Sequence, residues 1–217
     1  MTLTRASIVN VGYRSTNFWV VSAGTSRLLV DLGYPGTMGI LRANLARMDV
    51  PLTEIRYGLA THYHLDHAGL AQELKQAGVP LLVMDVQVAA IPLLKEVMKP
   101  SDRYVDITTH DNVTIPVAES RRVLAAIGIA GEIVHTPGHS DDSVSLLLDD
   151  GSAFTGDLTP PALAREEDVR VVTASWRLLR ERGATRIYPG HGPVRPMHPE
   201  STAESELPNA ERRRDAQ

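Results

Sequence analysis

Between Thr61 and Gly69 the chain reads THYHLDHAG. Three histidines and an aspartate fall within six residues, directly after Ile55–Ala60, a run that predicts a strand heading into the core. His62 and His64 lie two apart, so where the strand runs out both imidazoles reach one point. Asp66 and His67 follow at the mouth of an expected helix and face the same cavity from another angle. Small Ala68 and Gly69 let that helix start pack closely behind them. Neutral imidazole is a good zinc ligand, and a carboxylate compensates charge. One histidine at a strand–loop corner is ordinarily a satisfied polar residue. Three with an aspartate read as a metal site.

Three further stretches carry the same mark. TPGHS puts His139 in a glycine-containing loop at a strand end, FTGDL does so for Asp157, and YPGHG for His191. In each, a strand ends, a glycine loosens the backbone, and a ligand type follows. Small residues allow close backbone approach to an ion. A glycine before a polar residue can be turn chemistry by itself, but three such coincidences are hard to attribute to turns alone.

Composition sets the outer limits. With 217 residues and 43% hydrophobic content the chain can bury a substantial core. The net charge of −4 disfavours nucleic acid as a partner. The small basic clusters Arg121-Arg122 and Arg212-Arg213-Arg214 read as solvated surface. There is no cysteine, so any metal is held by nitrogen and oxygen. The N-terminus does not read as a signal peptide, and no run approaches the ~18 apolar residues of a membrane span. The expectation is a cytoplasmic protein acting on a small molecule, away from membranes and nucleic acid, with the oligomeric state open.

Residues 1–197 read as one domain and 198–217 as a polar tail. Asn17–Ser22 and Arg27–Asp31 form a hairpin around AGTS, with Gly24 in the turn. Thr37 can cap a helix through Met48. HAGLAQELKQAG reads as one helix stopped by Gly78, VPLLVM as a strand, and DVQVAAIPLLKEVMK as a helix capped by Asp85 and kinked or broken at Pro92. Residues 103–117 look like short strands and turns. A helix in AESRRVLAAIG, a strand in GEIVH, a hairpin turning at Asp150-Gly151, a helix in VRVVTASWRLLRERG and a last strand in ATRIYPGHG complete the chain. Strands alternate with helices, yet several come as hairpins. That predicts mixed sheets with helices outside, an α/β (α+β mixed) class.

The order His-X-His-X-Asp-His, then His139, Asp157 and His191, resembles the metallo-β-lactamase superfamily, from the NFWVV and LLVDLG strands to YPGHG. The resemblance implies a four-layer αβ/βα sandwich of two mixed sheets and outer helices, with two metals along one sheet edge. It implies His62, His64 and His139 on one metal, Asp66, His67 and His191 on the second, and Asp157 bridging both. Asp31 matches the aspartate closing LLVDLG and is expected to fix a ligand imidazole from behind.

Two metals ~3.5–4 Å apart lower the pKa of a shared water toward ~7, and the bridging hydroxide attacks a carbonyl or phosphoryl centre. Two divalent ions are expected, zinc first, with iron or manganese tolerated. Asp66 is the candidate proton shuttle. The resemblance further implies that Asp157 sets the chain apart from β-lactam hydrolases, which generally lack it. The expected reaction is hydrolysis of a small ester, thioester or lactone. The alternatives are a phosphodiesterase, a mononuclear iron oxygenase like the persulfide dioxygenases, and a non-catalytic binding protein. Only 26 residues follow His191, too few for the basic helical region of glyoxalase II. GHSDDS stands where GHTPGS is more usual, and Asp141 and Asp142 read as a solvated turn ahead of the alternative, a pair that repels anionic substrates. Tyr34 could reach the mouth and Tyr63 reads as core packing or an outer wall, but for Tyr13, Tyr34 and Tyr63 alike the structural reading leads the functional one. His110, His135 and His198 match no metal motif.

Overall fold

A computed structural model describes residues 6–197. The expected tail, with His198 and the Arg212-Arg213-Arg214 cluster, lies outside the described residues. The first sheet takes β1 (Ser7–Asn10), β2 (Trp19–Ala23), β3 (Ser26–Val30) and β4 (Ile55–Leu59) in that order. Ala23 pairs with Ser26, so Gly24-Thr25 is the whole hairpin loop, and Gly24 takes φ +63° as that loop requires. β3 and β4 are parallel. The chain between them crosses over through α1 (Met38–Arg47). Beyond β4, a bridge from Gly58 to Leu81 leads to a short parallel pair, β5 (Leu82–Met84) with β6 (Val113–Ile115). The second sheet runs β11-β10-β9-β8-β7, built from β7 (Gly131–His135), β8 (Val144–Leu148), β9 (Ser152–Gly156), β10 (Arg186–Pro189) and β11 (Arg195–Pro196). Its parallel pair is β9 with β10.

Side-chain alternation turns these sheets into layers. In β2 and β3, Val20 and Leu29 point outward to Leu41 and Leu45 of α1 and to the helices α2 (Leu65–Ala68), α3 (Ala71–Gln76) and α4 (Ile91–Glu96). Val21, Leu28 and Val30 point the other way, against Ile133, Leu146, Leu148 and Phe154 of the second sheet. α5 (Ser120–Ala126) closes this inner core with Val123 and Leu124. On the far side, Leu147 and Ile187 meet Val172, Trp176 and Leu179, one face of α6 (Val169–Glu181). The result is the expected helix–sheet–sheet–helix sandwich with both sheets mixed. Each fully buried aliphatic side chain contributes at most ~1.5–3 kcal/mol. Among the described residues no helix is long and apolar enough to cross a membrane.

Several elements differ from expectation. The single helix expected over residues 67–78 is two, α2 and α3, divided at Gly69-Leu70. A Cβ on Gly69 would collide with Pro35, and Leu32 N donates to His67 O at 2.7 Å. The helix is broken to seat the LGYPG loop, which binds its carbonyl. Pro92 does not kink a helix. Asp85–Gln87 is a 3-10 turn, and Pro92 lies in the first turn of α4, where its missing N–H leaves no helical bond unmade. Thr37 precedes α1, but its hydroxyl donates to Tyr34 O and caps nothing. VPLLVM contributes three strand residues only, Leu82–Met84. β1 and β11 carry no apolar run that would announce them, being half-exposed strands at sheet edges.

Candidate metal centre

Both sheets end at the same edge of the sandwich. The stretch after β4 carries His62, His64, Asp66 and His67, the β7–β8 loop carries His139, and the ends of β9 and β10 carry Asp157 and His191. Glycines permit the approach. Gly156 takes φ +50°, and a Cβ there would strike Thr61, which opens the first cluster. A Cβ on Gly190 would collide with Asp157 Oδ1 and sit 2.7 Å from His67 Cε1. α6 braces the His139 loop: Ser175 Oγ donates to Pro137 O at 2.7 Å, and Val172 fills the space a Cβ on Gly138 would need. Asn17 Nδ2 donates to Pro189 O and Gly192 O, fastening the His191 loop to the first sheet.

The seven residues converge. His62, His64 and His139 form a triangle with ring centroids 4.4–4.8 Å apart, and His139 Nε2 lies 3.0 Å from His64 Nδ1. Asp66, His67 and His191 form a second group, with Asp66 Oδ2 3.5 Å from His67 Nε2 and 3.2 Å from His191 Nε2. Asp157 stands between the groups. Its Oδ2 is 3.3 Å from His67 Nε2, 3.3 Å from His191 Nε2 and 3.8 Å from His139 Nε2. Ligand-capable atoms within each trio lie within 4.8 Å of one another.

These donors fit divalent cations. His62 and His67 are buried, yet His62 Nε2, His67 Nε2 and Asp157 Oδ1 have no hydrogen-bond partner among the described residues. Buried polar atoms are ordinarily satisfied, so unmet nitrogens on two neighbouring imidazoles, His62 and His67 with centroids 4.2 Å apart, indicate a bound group. Imidazole nitrogen and carboxylate oxygen suit zinc, iron or manganese.

A second ring of contacts sets the donor direction. Asp31 is buried and left-handed at φ +63°. Its Oδ1 accepts from Thr61 N and Thr61 Oγ1, both at 2.8 Å, and its Oδ2 sits 3.0 Å from His67 Nδ1. That holds the far side of His67 and leaves Nε2 facing the centre. Thr61 spends its one hydroxyl proton on Asp31, so it accepts from His62 Nδ1, 3.1 Å away, and His62 Nε2 keeps its lone pair. His191 Nδ1 donates to Ser15 O at 2.8 Å.

The same logic reaches Asp66, whose Oδ2 accepts from Thr16 Oγ1 at 2.8 Å. Thr16 in turn accepts from the Tyr34 hydroxyl at 2.9 Å. Burial, followed by the neighbouring imidazoles, holds the His62 pKa well below its ordinary value. Burial opposes charge on His67 too, but Asp31 and Asp157 outweigh it and raise its pKa. Burial would raise the Asp157 pKa, and His67 with the other imidazoles brings it below the usual range.

Sequence reasoning missed Thr16, Thr61 and the Ser15 carbonyl, since nothing in residue type or spacing singles them out. It also misjudged half of the acidic pair. Asp141 is exposed, but Asp142 is buried, and its Oδ2 accepts from Tyr63 N at 2.7 Å. It is not a solvated turn residue but an anchor for the backbone between His62 and His64. Tyr63 packs in the core as expected, its hydroxyl pKa pushed up by burial and then by Asp142. Tyr13 meets Tyr34 edge-on at 6.2 Å. His110 and His135 stand outside the centre, His110 beside Asp111 and His135 on Asp141 O.

Residues 11–191 match the family described as the metallo-beta-lactamase superfamily. The chain belongs to that superfamily, a family of metal-dependent hydrolases. It is 28% identical to a Beta-lactamase-like protein 2 homolog of Caenorhabditis elegans, over 83% of this chain and 57% of that protein. It is also 28% identical to the atrochrysone carboxyl ACP thioesterase nsrC of Aspergillus novofumigatus, over 83% of this chain and 50% of that protein. The chain thus spans about half of these relatives' length. Among solved structures it shares its fold with TTHA1623, crystallised in a di-iron-bound form, at TM-score 0.68 and 22% identity, over 88% of this chain and 94% of that one.

Proposed function

We propose that the chain is a dinuclear metal-dependent hydrolase of a small ester, thioester or lactone. The observation that carries this is Asp157, standing within reach of two complete donor groups, His62–His64–His139 and Asp66–His67–His191. The second group supports two cations rather than one, and so speaks against a single-iron oxygenase. The fungal relative's name as a thioesterase supports acyl chemistry and places thioesters first among candidate substrates.

Divalent cations held by these residues would supply a water of lowered pKa and a Lewis acid for the substrate oxygen. The remaining work belongs to the chain. Asp31, Thr61 and Ser15 O fix His67, His62 and His191 with one nitrogen each turned inward. Thr16 holds Oδ2 of Asp66, whose side chain is 19% exposed and so touches both the centre and solvent. Asp66 is placed there to carry a proton toward the departing group. Leu65, beside His64 and 38% exposed, offers apolar surface to an acyl chain.

Zinc is the first candidate metal, with iron and manganese compatible with the same donors. The test is elemental analysis of protein purified without added metal, then a panel of acyl esters, thioesters, lactones and a phosphodiester. Two divalent ions per chain with acyl hydrolysis are expected. One iron with oxygen consumption, or turnover of the phosphodiester alone, sinks the reading. For Asp66, full turnover by Asp66→Asn with both metals retained would remove its assigned role.

A further inference from the structure

The turn Tyr13–Thr16 lies against the metal centre, and the contacts above account for only part of it. Ser15 O receives His191, and Thr16 holds Asp66. Arg14 is left over, and it occupies its place against the local preference of the backbone. Tyr13 N donates to Thr16 O at 3.1 Å and Thr16 N to Tyr13 O at 3.2 Å, so Arg14-Ser15 is a closed two-residue loop. Arg14 takes φ +58°, a left-handed conformation that glycine or asparagine fills more easily. Its guanidinium carbon lies over two rings, 5.4 Å from the centroid of Tyr13 and 5.1 Å from that of Tyr34. Tyr34 is itself joined through Thr16 to Asp66. The cation is therefore tethered two hydrogen bonds and one ring away from a member of the centre.

A cation beside aromatic rings is attracted to them without using up its N–H donors. Arg14 is exposed, and among the described residues those groups make no hydrogen bond or ion pair. An exposed guanidinium with unpaired donors, held 5.1–5.4 Å from two ring centroids on the turn that also contacts Asp66 and His191, can offer its fork to a carboxylate. We propose that Arg14 is the anion-binding residue of this site and that the substrate carries a carboxylate remote from the bond that is cut. This deepens the acyl-hydrolase reading and rests on it for the identity of that bond.

The test is binding, so it does not need turnover. A thiolate is a good ligand for zinc, so the matched thiols 3-mercaptopropionate and 3-mercapto-1-propanol are titrated into the zinc-loaded protein by calorimetry. Wild type is expected to prefer the carboxylate about tenfold, the scale of one charge-assisted hydrogen bond, with the preference shrinking as salt rises. Arg14→Gly, which relaxes the left-handed backbone and so is not at risk of misfolding, should bring the ratio of the two affinities close to one. Arg14→Lys should retain part of it. A ratio unchanged in Arg14→Gly overturns the proposal, as does an absent preference in wild type or failure of both thiols to bind. If the preference is present and Arg14-dependent while no thioester is hydrolysed, the anion site stands and the acyl-hydrolase reading falls.

Discussion

At the scale of single residues, the centre depends on side chains that would touch no cation. Thr16 is buried at 2% exposure and directs its one proton to Asp66. Replacing such an outer partner ordinarily costs 10–100-fold in metal affinity. Thr16→Val should therefore weaken the second of two cations by about that factor, while Thr16→Ser restores it, as followed by metal titration of the stripped protein. Equal affinities in Val and Ser variants would show that the hydroxyl has no such task. The seven converging residues were legible because four of them crowd into six positions and His139, Asp157 and His191 each follow a glycine at an expected strand end. Thr16, Thr61 and Asp142 were not. Their value lies in whom they face across the fold, and a threonine before a strand looks the same whether it meets a carboxylate or water.

Secondary elements give a second set of tests. Asp142 sits on the β7–β8 loop yet secures the backbone of the stretch after β4, joining the two sheets through one carboxylate. Asp142→Ala leaves Tyr63 N buried without an acceptor and should cost about 1–3 kcal/mol. A lowered denaturant midpoint with an unchanged m-value is the expected signature, and Asp142→Asn should recover much of the loss. Pro92 tests the reading of α4. In the first turn its removal forfeits little, so Pro92→Ala should change stability by less than about 1 kcal/mol. A kinking proline would instead yield a gain near ~3 kcal/mol when replaced. The strands flanking the ligands were readable from alternation and turn residues. The break between α2 and α3 was not, because the pattern HAGLAQEL is helical throughout and the interruption comes from Pro35 pressing on Gly69 from a distant part of the chain.

On the scale of the whole molecule, the mixed sheets followed from hairpins interleaved with helices, and the layering from strands apolar on both faces. Which strands lie at the sheet edges did not follow, since β1 and β11 are short and half-exposed. The placement of the centre has a consequence for the assembly of the chain. The first sheet supplies His62, His64, Asp66 and His67, and the second supplies His139, Asp157 and His191. Each donor group draws on both: His139 completes one and His191 the other. A chelator should thus lower the melting temperature, and metal at a thousandfold excess over its dissociation constant should return about 4 kcal/mol. An unshifted melting curve would contradict that. Each cation would act as a rivet through two plates, so a chain cut between β6 and α5 would leave two pieces, neither owning a complete set of donors. Such fragments should bind metal tightly only when mixed, and the metal itself would then report that the halves have found each other.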